Sequence, residues 1–359
     1  MRLTLTSNYF SLNPQENGPQ YLEDLATGYW LSEALFTAVE LEVFSLLDSR
    51  GKTAPELVVA LNVPPRGLER FLHALCAMGL LTDDGKYYFN TKLASEYLVK
   101  GKSNYQGDSI LWRKYLYSGW QNLAQCLEAG TRINYGSSEE DPERFARRVR
   151  KYISAMDNVA RIKVQEILPF FEGFPLSGKL LDVGTGSGAM ASGFLERFPA
   201  LTATLLDLPY VLDYTRKFME KRGFGERLTY GPVNILEPWP VDQEAFDLVI
   251  LSNIIHAYSE DEIPAVLERA ANCLKPEGFL LIHDFFPEHY YEKAALFDLN
   301  MFINTYNGKI FSQTWVQEEL ARVKLFATDL IPLVTDTAVI FAAKQAKSLE
   351  NLHIDAKPV

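Results

Sequence analysis

Hydrophobic and polar positions change their spacing along the chain, and the changes predict its elements. From Tyr21 to Leu47, apolar residues fall on nearly every face of a predicted helix, which is typical of a buried helix. Residues 53–98 predict a helix, a turn, a second helix with a leucine stripe that includes Leu68 and Leu72, and a hairpin at "TDDGKYYF". This order is that of a winged helix, and helical spacing continues over residues 104–172.

From Lys179 onward the spacing of the apolar residues no longer follows a helix throughout. Short β-rich runs alternate with helical ones: "KLLDV", "ATLLDL", "RLTYGPV", "FDLVILSNI" and "GFLLIHDFF". Such alternation predicts a parallel sheet flanked by helices. The last two runs, "VKLFATDLI" and "TAVIFAAK", are separated by a short loop and predict an antiparallel hairpin at the sheet edge.

These patterns divide the chain into four parts. They are a helical, winged-helix-like domain over residues 1–100, a helical connector over 101–177, an α/β domain over 178–344 and a flexible tail over 345–359. The first predicted helix lacks a polar face, and such a helix is normally buried. Because this helix lies near a terminus, we expect a second copy of the chain to cover it in a homodimer.

Net charge and composition argue against some classes of protein function. The formal charge is -11, and residues 51–100 carry six basic and five acidic side chains, whereas nucleic-acid binders present a basic face. A winged-helix DNA-binding regulator therefore stays only as an alternative. Three scattered cysteines, no apolar run of about 20 residues and an N-terminus unlike a signal peptide favour a cytoplasmic protein with no membrane partner.

A glycine-rich turn follows the first strand of the α/β domain. "KLLDVGTGSGAM" places Gly184, Gly186 and Gly188 between a strand and a helix, where the backbone can approach a ligand closely, with Asp182 just before them. Asp207 ends the next strand, where its carboxylate could accept hydrogen bonds from two ribose hydroxyls. The same spacing fits a nicotinamide dinucleotide site, which stays open as an alternative.

A histidine stands at the end of a later strand. In "LVILSNIIHAYSEDE", His256 follows an apolar run, and ligands of open α/β sheets bind at the carboxyl ends of strands. Imidazole has a pKa of about 6.5 and can act as a general base near neutral pH. His283 and His289 lie close together in sequence, but no third ligand stands at a familiar spacing, so we expect no metal site.

Three stretches, "LLDVGTGSG", "LLDLPYVL" and "LSNIIHAYSEDE", together resemble the class I methyltransferases that use S-adenosylmethionine. Most closely they resemble the plant and bacterial small-molecule O-methyltransferases, including hydroxyindole, flavonoid and polyketide methyltransferases. The resemblance covers nearly the whole chain. It implies an α/β fold with a Rossmann-like seven-stranded methyltransferase sheet and a C-terminal antiparallel hairpin, preceded by an all-helical winged-helix dimerisation domain, with a connector that contributes to the substrate pocket.

The resemblance also implies roles for individual residues. S-adenosyl-L-methionine is the implied cofactor, and the implied activity is methyl transfer to a hydroxyl of an aromatic or polycyclic small molecule with His256 as general base. The implied cofactor-binding residues are Asp182, Gly184, Gly186, Gly188, Asp207, Leu208, Asn234, Ile235, Ser252 and Asn253. The implied acceptor-binding residues are Met156, Asn300, Met301 and Asn304.

Two positions depart from the family pattern. Asn234 stands where an Asp is usual for adenine, and the loop "NGKIFSQTW" has Gln313 where an acid that orients the catalytic histidine is expected. The missing acid leaves C- or N-methylation of a related acceptor, for example a tetrapyrrole or heteroaromatic, as the enzymatic alternative.

Overall fold

The computed structural model describes residues 18–133 and 141–353, which divide into two compact units between Tyr115 and Leu116. The division falls inside a helix and later than the expected boundary at residue 100, so most of the predicted connector belongs to the second unit. Over these two ranges, no helix has both the length and the apolar character needed to cross a membrane.

The first unit has the order expected of a winged helix. Its elements are α1 (Pro19–Glu40), α2 (Val43–Leu46), α3 (Ala54–Leu61), α4 (Pro65–Ala77), β1 (Leu81–Asp83), β2 (Tyr88–Asn90), α5 (Lys92–Tyr97) and the beginning of α6 (Gly107–Trp120). Thr53 and Glu56 exchange hydrogen bonds as a capping box that starts α3. β1 and β2 pair antiparallel on either side of the predicted turn.

The single helix expected from Tyr21 to Leu47 is wrong, because the structure breaks it after Glu40. Glu42 has a φ of 52°, a left-handed conformation that no α-helix continues through, and α2 begins after it. The part of α1 that precedes the break keeps large apolar side chains in solvent in the single chain: Leu22, Leu25, Tyr29 and Trp30 are each more than half exposed.

The second unit contains the central sheet. Its strands are β3 (Gly178–Val183), β4 (Leu201–Asp207), β5 (Leu228–Pro232), β6 (Phe246–Ser252), β7 (Leu274–Asp284), β8 (Phe326–Ala327), β9 (Ile331–Pro332) and β10 (Ala338–Ala343). Its helices are α7 (Leu123–Ala129), α8 (Pro142–Ile167), α9 (Ala189–Arg197), α10 (Pro209–Arg222), α11 (Ile263–Cys273), α12 (Tyr291–Asn304), α13 (Gln313–Arg322) and α14 (Ala346–Leu349).

The strand order β5-β4-β3-β6-β7-β10-β8 places a topological switch between β3 and β6. β3 to β7 run parallel, as the alternating pattern predicts, and β10 is antiparallel to β7. Apolar clusters cover both faces of the sheet, which is why these strands consist of nearly continuous apolar runs. Because parallel strands end at one edge, Asp207, Ser252 and Asp284 come together there.

The predicted C-terminal hairpin forms, with its outer arm split into β8 and β9, which both pair with β10. In the described part of the chain, eight strands therefore occupy the seven expected positions of the sheet. The arm is interrupted after Ala327. The Thr328 N–H still donates to the Phe341 carbonyl at 2.9 Å, while the Phe341 N–H donates to the Thr328 hydroxyl at 3.1 Å.

The expected loose tail is wrong for residues 345–353. These residues form α14, bury Leu349 and Leu352, and donate the His353 N–H to the Phe170 carbonyl at 3.0 Å. Two leucines three positions apart bury enough apolar surface to hold this short segment against the sheet domain. The remaining tail residues, 354–359, lie outside the described residues.

Candidate active site

The glycine turn after β3 has the left-handed backbone that its glycines predict. Gly184, Gly186 and Gly188 have φ angles of 67°, 56° and 79°. A Cβ on Gly184 would lie 2.1 Å from the Ile254 side chain, whereas a Cβ on Gly186 would meet no atom within 4 Å. Gly186 therefore leaves open space where a ligand can approach the backbone.

Gly188 has a different role from the one expected. It is the N-cap of α9, it does not line the cavity described below, and a Cβ there would lie 2.6 Å from the Met219 sulfur. Its lack of a side chain permits the close approach of Met219, and its contact with a cofactor stays a prediction.

A cavity of about 710 Å³ lies over the carboxyl ends of β3, β4 and β6. Its wall contains most of the predicted site: Met156, Asp182, Gly184, Gly186, Asp207, Leu208, Asn234, Ile235, Ser252, Asn253 and Asn304. It does not contain Gly188, His256, Asn300 or Met301. The volume is in the usual range of small-molecule sites.

Asp207 is held by the turn that it faces. One of its carboxylate oxygens accepts the Gly186 N–H at 2.9 Å, and the other accepts the Leu208 N–H at 2.7 Å. Burial raises the pKa of Asp207 to about 6, and the two N–H donors oppose the rise. Each oxygen keeps a lone pair for a further donor, so the two oxygens can accept hydrogen bonds from the two hydroxyls of a vicinal diol.

Asp182 lies one strand away and is also buried. It accepts the Thr185 hydroxyl at 2.7 Å, and burial raises its pKa to about 6. Its contact with Thr185 fixes the start of the glycine turn.

Two asparagines on the cavity wall differ in the state of their amide oxygens. Asn234 Oδ1 accepts the Leu236 N–H at 3.2 Å, so one lone pair is already used by its own loop. Asn253 has a left-handed φ of 55°, and its Oδ1 is buried with no hydrogen-bond partner in the described part of the chain. A buried acceptor of this kind is costly unless a ligand supplies a donor.

His256 lies in a 3-10 turn (Ile255–Ala257) that folds back toward the end of β7. Its Nδ1 lies 2.5 Å from Asp284 Oδ1, and its backbone N–H donates to Asp284 Oδ2 at 3.3 Å. A carboxylate only accepts, so Nδ1 is the protonated nitrogen, and in the neutral tautomer that this contact selects the lone pair is on Nε2. The acid that seemed to be missing from the loop at Gln313 is supplied by β7 instead.

Aromatic rings fix the plane of this imidazole. Phe297 on α12 meets it edge to face, with ring centroids 5.2 Å apart and an angle of 86°, and Phe285 stacks on Phe297 at 3.9 Å. The His256 side chain is 12% exposed. It stands beside the cavity rather than on its wall, between the lining residues Ile254 and Ala257.

Two of the four predicted acceptor contacts belong to the interior. Asn300 Oδ1 accepts the Trp120 indole N–H at 3.1 Å and the Asn304 amide at 3.0 Å, and Met301 is buried. Both hold α12 in place. Met156 and Asn304 are on the cavity wall, where an acceptor could reach them.

Sequence reasoning missed several site residues. Tyr258 lines the cavity, and burial raises its pKa to about 12; Tyr152 and Arg148 line it from α8. Asp284 was the most important omission, and it had a signal, because it is an acid at the carboxyl end of the strand adjacent to β6.

His283 and His289 do not face a common point as metal ligands would. Both His283 nitrogens are hydrogen-bonded, to Ser252 and Thr337, while His289 Nε2 contacts the Thr335 carbonyl at 2.8 Å. His283 is fully buried, and burial lowers its pKa to about 3, so its imidazole is neutral.

A family model described as an O-methyltransferase domain matches residues 120–321, which is more than half of the chain, and a model described as an O-methyltransferase dimerisation domain matches residues 23–100.

Two curated relatives and one solved structure show the extent of the similarity. The chain is 27% identical over 306 residues to a 3-hydroxy-5-methyl-1-naphthoate 3-O-methyltransferase of Streptomyces sahachiroi, covering 82% of this chain and 86% of that protein. It is 29% identical over 282 residues to the Bos taurus acetylserotonin O-methyltransferase, covering 74% and 79%. The crystal structure of human N-acetylserotonin methyltransferase in complex with SAM superposes with a TM-score of 0.78 at 24% identity, over 93% of this chain and 100% of that one.

Proposed function

Since the chain belongs to the O-methyltransferase family, we propose that it transfers the methyl group of S-adenosylmethionine to a hydroxyl of an aromatic or polycyclic small molecule. The family match favours this activity over a nicotinamide enzyme, a DNA-binding regulator, and C- or N-methylation. The observation that supports hydroxyl chemistry most strongly is the His256–Asp284 pair, because it prepares an imidazole to accept a proton.

The residues of the cavity fit a nucleoside-bearing cofactor. Asp207 would accept hydrogen bonds from the ribose hydroxyls, and Gly186 leaves space for the cofactor to approach the backbone. A donor of the cofactor would satisfy the buried Asn253 Oδ1. Asn234 and Ile235 would contact the adenine. When bound, S-adenosylmethionine supplies an electrophilic methyl group on a sulfonium.

The chain's own residues then orient the acceptor and remove its proton. A phenol has a pKa of about 10 and is mostly protonated at neutral pH, so it reacts faster when a base takes its proton. His256 Nε2 would be that base, and Asp284 would hold the ring in the required tautomer and stabilise the imidazolium. Met156 and Asn304 would contact the acceptor.

Isothermal titration with S-adenosylhomocysteine and with NAD, followed by an assay of candidate phenols, tests this function. We expect the protein to bind S-adenosylhomocysteine and not NAD, and to methylate the phenol on oxygen. Binding of NAD alone, or a product methylated on carbon or nitrogen, would contradict the proposal.

Asp284→Asn is expected to lower kcat by at least about tenfold, and by up to about 10⁴-fold, because the base loses its tautomer and its orientation. The affinity for S-adenosylhomocysteine is expected to stay unchanged, because the cavity keeps its shape. The measurement is steady-state kinetics with pH profiles, in parallel with titration calorimetry. Asp329→Asn, at an exposed position, is the matched control. An unchanged kcat at every pH would show that Asp284 does not act through His256.

We propose that two copies of the chain associate through the exposed apolar face of α1. Leu22, Leu25 and Tyr29 recur at helical spacing on one side of that helix, and the region that the dimerisation model matches begins at residue 23, so it includes Leu25 and Tyr29. A cytoplasmic location is proposed as well, on the basis of three free cysteines, which a reducing compartment preserves.

Leu25→Glu is expected to raise the dimer dissociation constant by at least about a hundredfold, since each buried Leu contributes roughly 1.5–3 kcal/mol and a symmetric interface contains it twice. Light scattering after size exclusion measures the change. Val59→Glu, on α3, replaces another exposed apolar residue of the same unit and serves as the control. A Leu25→Glu protein that stays dimeric would exclude this interface.

A further inference from the structure

A buried chain of hydrogen bonds leads away from the cavity wall at the end of β6. Ser252 lines the cavity, and its Oγ lies 2.8 Å from His283 Nδ1. The other imidazole nitrogen, Nε2, lies 2.8 Å from Thr337 Oγ1. His283 and Thr337 are both fully buried. The catalytic steps described above do not use either residue.

The burial of these groups determines which atom donates in each hydrogen bond. Within the described residues, the Thr337 hydroxyl has a single hydrogen-bond partner, His283 Nε2, and a buried hydroxyl proton needs an acceptor. Thr337 therefore donates to Nε2. The neutral imidazole has one N–H, which must then be on Nδ1 and must donate to Ser252 Oγ. The Ser252 proton is left pointing away from the imidazole.

The sheet register locates the group that this proton meets. Leu251 pairs with Val183, so Ser252 lies across from Gly184, at the start of the glycine turn. Asp207, the ribose partner, is on β4, on the other side of β3. The neighbouring Asn253 Oδ1 is a buried acceptor that has no hydrogen-bond partner among residues 18–133 and 141–353. The Ser252 hydroxyl is thus a donor that suits the carboxylate of an amino acid. The neighbouring Asn253 Oδ1 is an acceptor that suits its ammonium group.

We propose that Thr337, His283 and Ser252 form a one-directional relay of hydrogen-bond donors that presents the Ser252 hydroxyl to the carboxylate of the cofactor's amino-acid moiety. The proposal rests on the methyltransferase function above and adds Thr337 and His283 as positioning residues. Neither residue touches the cofactor. They act by preventing Ser252 from donating into the protein.

The test compares two nucleosides that differ in the amino-acid moiety. Thr337→Val removes the hydroxyl at nearly constant volume, and the affinities of S-adenosylhomocysteine and of methylthioadenosine, which lacks the amino-acid group, are measured by calorimetry. We expect the first affinity to fall roughly tenfold, as for the loss of a hydrogen bond to a charged group, and the second to stay within about twofold. Thr337→Ser, which keeps the hydroxyl, should restore binding.

Thr202→Val, at an exposed position of β4, is the matched control. Ser252→Ala should reproduce the Thr337→Val pattern and covers the case in which the valine variant does not fold. If well-folded Thr337→Val or Ser252→Ala protein binds S-adenosylhomocysteine as the wild type does, or if both nucleosides weaken equally, the relay is overturned. A wild-type protein that binds neither nucleoside would overturn the methyltransferase function itself.

Discussion

His256→Ala is expected to lower turnover on a hydroxyl acceptor by about 10²- to 10⁴-fold and to leave the affinity for S-adenosylhomocysteine unchanged. The reason is that His256 lies beside the cavity rather than on its wall, so its removal deletes a base and no contact of the cofactor. Single-turnover kinetics together with calorimetry separate the two quantities.

His73→Ala is the matched control, because His73 is exposed on α4 in the first unit. An unchanged turnover in His256→Ala would exclude the base assignment. A large loss of cofactor affinity in the same variant would show instead that the imidazole shapes the cofactor site.

Asp207→Ala is expected to weaken S-adenosylhomocysteine roughly a hundredfold, because it removes a charged acceptor that would serve two ribose hydroxyls. Burial raises the pKa of Asp207 to about 6, so its carboxylate is present above that pH and is protonated below it. The affinity should therefore be constant above about pH 7 and should fall as the pH decreases through 6.

Calorimetry from pH 5 to pH 8 on the wild type and on Asp207→Asn measures this dependence. Asp182 has a similarly raised pKa of about 6, so the pH dependence that remains in the variant belongs to Asp182. Asp213→Ala, at an exposed position of α10, is the control. An Asp207→Ala protein with wild-type affinity would exclude the ribose contact.

Local sequence predicted what depends on local backbone chemistry. The glycine turn needs residues that tolerate a left-handed backbone, and the wing needs an Asp-Gly turn, so each can be recognised within about ten residues. The alternating runs predicted the parallel sheet for the same reason. The helix break at Glu42 was missed because its neighbours have ordinary helical spacing.

Contacts between distant residues give two of the predicted site residues partners that the sequence did not indicate. Asn300 was assigned to the acceptor but is occupied by Trp120, which precedes it by 180 positions. Gly188 was assigned to the ligand but meets Met219 of α10. Short-range spacing carries no information about such partners.

By itself, the sequence determined that a glycine-rich turn, Asp207 at the end of one strand and His256 just after another belong to one α/β sheet. Each of these features is a property of a short segment with a characteristic period. Only the tertiary structure decided which acid orients His256 and which protons Ser252 and His283 carry. Asp284 lies 28 positions from His256, and Thr337 lies 54 positions from His283. Their hydrogen bonds exist only because β6, β7 and β10 lie side by side, and a proton's position is fixed by the partners that burial leaves to it.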